Sequence, residues 1–396
     1  MLTVSHLPFD DRIFYKEARS LQKAGYAVSI ITSVGHFDEV KDSILIKGFK
    51  INPLFLRCKI FGILSIGTII KFVKFIYYGL KEKADVYHCH ESQVLFPAYF
   101  IKLLKTFCKK RVYIIHDVHE FYLEPNLLDK NISFWEKVKF RLLIFLDKKI
   151  NQKIDFIVCT EEPKTEKFLH YHIPCKKIRV IENYVPLDLF QISAKEFNPQ
   201  KPVFAYAGGL SFDRGINKLA MATAIFAKRT KTKPKLLLLG KSHSPSEEKI
   251  LLNYYRKNKE FLDLKMEQIP HPEVSKRLRE ADICFAFYNS KRYKKVLSGK
   301  AGPIKLYEYM ACGRPVIAVN YDALKNVIEK SRCGIIINLK NGIGAIVNAM
   351  EFYYRNPQRI IQDGRNGRLA VEKYYNWSIA EKKLLKIYAG IKKNLY

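Results

Sequence analysis

Three groups of residues in this chain have the types and spacing to do chemistry. In Ala207-Gly208-Gly209-Leu-Ser-Phe-Asp213-Arg214-Gly215, a glycine pair follows an apolar run and leads into a helix-length segment. Glycines there let backbone N–H groups approach a phosphate, and a helix N-terminus adds partial positive charge. Asp213 is expected as the N-cap, which places Arg214 in the first turn, facing any bound anion. The plainer reading is a tight strand–helix turn carrying a solvated arginine.

In the stretch 302–318, Pro303 suits the first position of a helix. Glu308 falls four residues after Ile304 on the same face, near the carboxyl end of an expected strand at 282–288. A carboxylate there can accept two hydrogen bonds from a ribose diol, as the acidic residue of dinucleotide sites does. Without that context it reads as a surface glutamate complementing the helix dipole. The third group is His88-Cys-His90 with His116-Asp-Val-His119-Glu120, at the ends of two successive expected strands. Imidazoles and carboxylates together invite a metal reading. His88 and His90 share one strand face, however, and no third ligand of known spacing follows either pair. The pattern points to one or two active-site groups with the remaining histidines structural, and no metal site is expected. The chain also has no D-x-D, the usual carboxylate pair for a metal-bound nucleotide diphosphate.

The elements that must position these groups follow from periodicity. Short Val- and Ile-rich runs at 2–4, 28–32, 85–90, 112–116, 156–160 and 178–182 read as strands. Helix-length amphipathic stretches lie between them at 11–24, 60–82, 92–109, 134–153 and 161–170. After a proline-punctuated stretch at 186–199 the alternation restarts, with strands at 203–207, 236–240, 264–268, 282–288, 316–320 and 334–338. Continuous apolar strands separated by helices imply parallel sheets covered on both faces. The expectation is two tandem Rossmann-like, doubly wound α/β domains: 1–190, a linker at 191–200, and 201–377, with a last helix at about 378–396 packing back on the first. Ligands in such folds bind outside the carboxyl ends of the strands, so a cleft between the domains is the expected site.

At 396 residues, ~150 per domain gives two or three domains. A hydrophobic content of 48% excludes a disordered chain. The net charge of +31 asks for an anionic partner, and it is uneven: residues 1–200 hold 31 Lys+Arg against 22 Asp+Glu, leaving 38 against 16 for the rest. Lys71, Lys74 and Lys81 fall on one face of an amphipathic helix, and 102–111 carries five positive charges without an acid, a pattern that suits an anionic bilayer surface. The competing reading is a solvated helix face over an apolar core. No nucleic-acid reading module is visible, so nucleic acid is not an expected partner. The start lacks a secretory signal, no apolar run approaches the ~20 residues of a membrane span, and the scattered cysteines fit reduced thiols.

The motifs and their order resemble the retaining glycosyltransferases of the GT-B fold, close to glycosyltransferase family 4 (glycosyl transferases group 1). PFDDRIFYKEARSLQKAGYAVSIIT resembles the family's first loop, helix and second strand; ADVYHCHE and IIHDVHE resemble its third and fourth strand ends. GGLSFDRG resembles the donor-phosphate loop, and PIKLYEYMACGRPVIA is the most specific piece. The resemblance implies that His119 is the histidine beside the transferred sugar, that Arg214 stands where a lysine usually meets the donor diphosphate, and that Glu308 holds the donor ribose. Gly208, Gly209, Lys218, Pro303 and Lys305 then belong to the donor side, and Asp10, Asp11, Arg12, His90 and Glu120 to the acceptor side. The chain departs from the family at Gly209, where an arginine is common, and at Lys300, where a second glutamate is common.

The activity so implied is transfer of a sugar from a UDP- or GDP-sugar to a hydroxyl of a glycan or lipid-linked acceptor, with retention and without a metal or other cofactor. The setting would be bacterial surface polysaccharide synthesis, such as capsule or O-antigen, at the cytoplasmic face of the membrane. Two other readings stay open at the level of sequence: a sugar-nucleotide epimerase of the same fold, and a catalytically weak, membrane-associated scaffold that binds nucleotide sugars.

Overall fold

The structure, a computed structural model, describes residues 1–57, 59–60, 64–119, 134–192, 195–242, 244–267, 269–290 and 293–395. The chain forms two compact units, one of Met1–Glu182 with Ala380–Tyr396 and one of Asn183–Ile379.

The sheet of the first unit runs, in spatial order, Ile178–Val180, Phe156–Cys159, Tyr113–Val118, Val86–Cys89, Leu2–Thr3, Ser29–Thr32, Ile44–Gly48 and Phe37–Lys41. All neighbours are parallel except the last pair. The strand order reverses between Leu2–Thr3 and Val86–Cys89, so their carboxyl ends open a crevice at this switch point. Ile30, Ile31, Ile114, Ile115 and Ile157 are buried in this sheet, as expected when both faces are covered. The opening helix is π-wound over Asp11–Ala18 and tightens to α over Arg19–Lys23. Asp10 caps it, accepting from the Arg12 and Ile13 amides at 2.9 and 3.2 Å.

The second unit repeats the plan with six parallel strands in the order Asp263–Glu267, Lys235–Leu239, Val203–Ala207, Ile283–Ala286, Val316–Val319 and Gly334–Ile337. Its switch point lies between Val203–Ala207 and Ile283–Ala286. Phe190, Phe204, Phe285, Met310 and Tyr353 are among the buried side chains of its core.

Several elements differ from the sequence reading. The strands Phe37–Lys41 and Ile44–Gly48 were not expected. The first carries Asp38, Glu39 and Lys41 on an exposed antiparallel edge, where charges guard against edge pairing and hide the apolar pattern. Its turn is Asp42-Ser43, both at positive φ (52° and 58°), a hairpin signal weaker than Asn-Gly or Asp-Gly. Only 66–81 of the expected 60–82 helix is helical among the described residues. The expected helix 161–170 is a 3₁₀ turn followed by Thr165–His170.

Candidate active site

In the second unit, the chain leaves Val203–Ala207 into Gly208, whose φ is +129°. The Gly208 amide donates to the Leu239 carbonyl (2.8 Å), and a Cβ at this position would stand 2.6 Å from Lys305 Nζ. Glycine is therefore demanded by geometry at 208. Gly209 is different, since a Cβ there meets nothing within 4 Å. Asp213 is not the helix cap. The helix Ile216–Thr230 is capped by Gly215 in the left-handed region (φ 73°), because any Cβ at 215 would stand 2.5 Å from the Phe287 ring. Asp213 and Arg214 instead lie in the 3₁₀ turn Phe212–Arg214, just ahead of the helix.

That turn lays the Arg214 guanidinium over two rings, 4.7 Å from the Tyr288 centroid and 4.5 Å from that of Tyr293. Lys305, the second residue of the helix Ile304–Ala311, reaches into the same corner. Its Nζ donates to the Tyr206 hydroxyl at 2.8 Å and lies 4.0 Å from the Tyr206 centroid and 5.1 Å from that of Tyr288. Neither cation makes an ion pair with a described carboxylate. Burial, with Arg214 close by, pushes the Lys305 amine well below its ordinary value. Burial likewise pushes the Tyr288 hydroxyl up to about 12 and Tyr206 higher, so both phenols are neutral. The Arg214 guanidinium and the Lys305 amine, whose charge burial disfavours until an anion offsets it, are held by ring faces beside backbone at a switch point and form a receptor for a polyanion.

Pro303 is the N-cap of the helix Ile304–Ala311, one position ahead of the expected one. Glu308, 5% exposed, receives His271 Nε2 on its Oε1 at 2.9 Å. Tyr309 fastens the same helix to the sheet, its hydroxyl accepting from the Ala207 amide at 2.7 Å. Lys218 sits half-buried in the first turn of Ile216–Thr230, and Lys300 is exposed.

In the first unit, His88, His90, Asp117 and His119 gather at the carboxyl ends of Val86–Cys89 and Tyr113–Val118. His90 Nδ1 lies 3.2 Å from His119 Nε2, and His119 Nε2 lies 3.6 Å from Asp117 Oδ1. His6, which follows the first strand, pairs with Asp10 at 3.0 Å and packs its ring 4.7 Å from that of His119. Burial lowers the His119 imidazole to about 4 despite the upward pull of Asp117, so the ring is neutral at ordinary pH. His88 and His90 are lowered by burial as well.

Arg12, which the resemblance put on the acceptor side, is buried and paired within the first unit. It is 2% exposed, donating through Nε and Nη2 to Asp117 (3.1 and 2.8 Å) and through Nη1 to the Ile181 carbonyl (3.2 Å). Its Nε also lies 3.0 Å from Glu17 Oε1. Burial disfavours the charge on Asp117, yet Arg12 outweighs it and holds this carboxyl well below its usual range. Burial and the neighbouring Asp117 push Glu17 the other way, well above it. Asp11 pairs with Lys16, and Glu120 lies outside the described residues. Ligand atoms of Glu17, His88, His90 and Asp117 lie within 4.8 Å of one another, as do those of His6, Asp10 and His119. The first group already contains the Arg12 guanidinium as its cation.

The expected basic face of Ile66–Lys81 is arranged differently. Lys71 and Lys74 are half-buried, Lys74 with its Nζ 5.3 Å from the Phe49 ring, and only Lys81 of the three is exposed. The outward stripe of this helix is Ile69, Val73 and Tyr77. Sequence reasoning also missed His271, Tyr206, Tyr288 and Tyr293. Tyr206 and Tyr288 lie at the ends of apolar runs and read as core, Tyr293 opens the short helix Tyr293–Val296 among lysines, and His271 stood alone between two prolines.

Residues 190–383 match the family described as Glycosyl transferases group 1, and residues 12–189 match Glycosyltransferase Family 4. No curated protein matches the chain. Among solved structures, a sucrose-phosphate synthase from Thermosynechococcus elongatus is 17% identical with a TM-score of 0.71, covering 99% of both chains. Anabaena Alr3699/HepE, solved in complex with UDP and glucose, is 12% identical with a TM-score of 0.67 over 98% of both chains. WaaG, a glycosyltransferase involved in lipopolysaccharide biosynthesis, is 12% identical with a TM-score of 0.65 over 97% of both.

Proposed function

The chain belongs to the GT-B glycosyltransferases, its N-terminal half in family 4 and its C-terminal half in group 1, and on that premise we propose the following reaction. A sugar passes from a nucleoside diphosphate sugar to a hydroxyl of a glycan or lipid-linked acceptor, with its anomeric configuration retained. The observation that carries this reading is the pair Arg214 and Lys305, held by neutral tyrosines beside the Gly208 backbone. The barrier in such a transfer is departure of a diphosphate from an oxocarbenium-like carbon. Cationic groups fixed in advance where that charge grows stabilise the transition state without reorganising.

In this scheme Arg214 and Lys305 take the diphosphate and Glu308 accepts from the donor ribose. The acceptor hydroxyl attacks on the face the phosphate leaves, and the departing phosphate oxygen takes its proton, so retention needs no carboxylate nucleophile. His119, neutral at ordinary pH and 3.2 Å from His90, is the histidine that the family resemblance assigns to the transferred sugar. The two cations supply the counter-charge, and the reaction is read as metal-independent. The HepE complex with UDP and glucose favours UDP-sugars as the first donors to try. Released nucleotide, measured with UDP- and GDP-sugars and glycan or lipid-linked acceptors, tests the reading. Turnover by the wild type that disappears in Arg214→Ala supports it, and undiminished turnover in that variant overturns it.

The acceptor class is proposed from the first unit's surface. The helices Pro53–Arg57, Ile66–Lys81, Ser92–Phe107 and Phe134–Lys153 pack in succession and expose Leu54, Phe55, Val73, Tyr77, Phe107 and Phe145, Phe107 by 91%. Exposed Lys81, Lys83, Lys109, Lys110 and Arg111 accompany them. Apolar side chains set among lysines suit an anionic bilayer interface. No helix among the described residues is long and apolar enough to cross a membrane. We therefore place the enzyme peripherally at the cytoplasmic face of a bacterial membrane, extending a lipid-linked precursor of a surface polysaccharide such as capsule or O-antigen.

A further inference from the structure

We propose that His271 is a positioning residue for the donor nucleoside: it holds the Glu308 carboxylate in the orientation that accepts the ribose hydroxyls, and so makes the second unit selective for ribonucleotides over 2′-deoxyribonucleotides. This rests on the ribose role of Glu308 given above.

His271 opens the helix His271–Leu278 between Pro270, which caps it, and Pro272 in its first turn. Two rings with fixed φ set the backbone on either side of the histidine. The imidazole is wedged as well. Its centroid lies 5.8 Å from that of Phe190, which is fully buried, and its Nε2 lies 2.9 Å from Glu308 Oε1. The helices bearing the two residues also meet through Ser275 and Cys312, Oγ to Sγ at 3.9 Å. Both ends of the His271–Glu308 bond are thus anchored.

The bond leaves Glu308 usable. An ionised carboxylate has about four acceptor sites, of which His271 takes one. Oε2 accepts no hydrogen bond from a described group and is not sealed from solvent. Glu308 follows Lys305 by three residues, so the two share one helix face and a nucleotide whose diphosphate meets Lys305 has its sugar near Glu308. A glutamate has three side-chain torsions. Fixing them before the nucleotide arrives removes an ordering cost from binding. The benefit is smaller for a ligand that gives the carboxylate one hydroxyl in place of two, which is why a missing 2′-hydroxyl is the informative probe.

The test is calorimetric titration of UDP, GDP and their 2′-deoxy counterparts into wild type, His271→Ala, His271→Gln and Glu308→Gln. The wild type should prefer the ribonucleotide, and His271→Ala should lose about tenfold in affinity for it while the deoxy form loses less, so that the ratio of the two falls. His271→Gln keeps a side-chain N–H donor and should recover part of the preference, which a merely structural role would not produce. If Glu308→Gln collapses the ratio but His271→Ala leaves it intact, the positioning role is wrong and the ribose reading stands. If Glu308→Gln leaves the ratio intact, the ribose reading falls and the inference with it.

Discussion

The glycine pair at the donor loop makes a sharp prediction, because its two members are held by different physics. Alanine at 208 must adopt a φ of +129°, at a cost of about 1–3 kcal/mol for a side-chain-bearing residue. Its methyl would also stand 2.6 Å from Lys305 Nζ, so the amine must leave the Tyr206 hydroxyl that it now reaches at 2.8 Å. Losing that bond in a buried corner adds about 1–3 kcal/mol. The sum, roughly 2–6 kcal/mol, corresponds to a fall of about 5–20 °C in the unfolding temperature of a unit this size. Alanine at 209 meets nothing within 4 Å and needs no positive φ, so its stability should lie within about 1 kcal/mol of wild type. Thermal unfolding by circular dichroism, with and without UDP or GDP, reads both effects. Gly208→Ala should unfold early and lose the nucleotide-induced shift. Gly209→Ala should unfold with the wild type and show a smaller nucleotide shift, since a phosphate is the proposed neighbour of that backbone. Wild-type stability in Gly208→Ala, or equal damage from the two substitutions, would refute the reasoning.

Other expectations are as direct. Arg214→Ala should fold normally and lose about 10²–10³ in kcat, as measured by nucleotide release. Arg12→Met leaves Asp117 and Glu17 buried without their cation, so urea unfolding should show a loss of about 3–5 kcal/mol from the first unit. The His119 pKa is depressed to about 4, so its contribution to stability is complete above the unfolded value near 6.5 and is lost as pH falls towards 4. The first unit's urea midpoint should therefore drop between pH 7 and pH 4.5, and less so in His119→Gln; an unchanged slope in that variant contradicts the assignment. In flotation with phosphatidylglycerol vesicles, Val73→Asp combined with Phe107→Asp should abolish binding, while charge reversal at half-buried Lys71 and Lys74 should weaken it less. Treatment with EDTA should leave turnover unchanged; its loss would show that the two cations do not suffice.

The fold was legible because its strands are short apolar runs set between amphipathic helices, while the spatial order of the strands, and with it both switch points, came from the structure. What escaped was written in other terms. The edge strand Phe37–Lys41 is charged because it is an edge, and the cap of Ile216–Thr230 is a left-handed glycine where an aspartate offered the usual signal. At the site, Gly208, Arg214 and Glu308 could be named from spacing and Lys305 from the family resemblance, but the tyrosines that hold the cations could not, since Tyr206 and Tyr288 end apolar strands as any core residue does. Arg12 shows the opposite failure. The family resemblance put it on the acceptor side with Asp10 and Asp11, yet the π-wound turn carries it inside to meet Asp117, 105 residues away in sequence. A periodic reading of 66–81 put lysines outward, whereas packing against Phe49 draws Lys74 in and leaves Ile69, Val73 and Tyr77 outside.

The central claim is that Arg214 and Lys305 form the receptor for the diphosphate of a nucleotide-sugar donor. Titration of UDP and GDP into wild type, Arg214→Ala and Lys305→Met tests it most directly. The account predicts that at least one of the two nucleotides binds the wild type, and that each substitution weakens it by tenfold or more. Binding of undiminished affinity in both variants would contradict it.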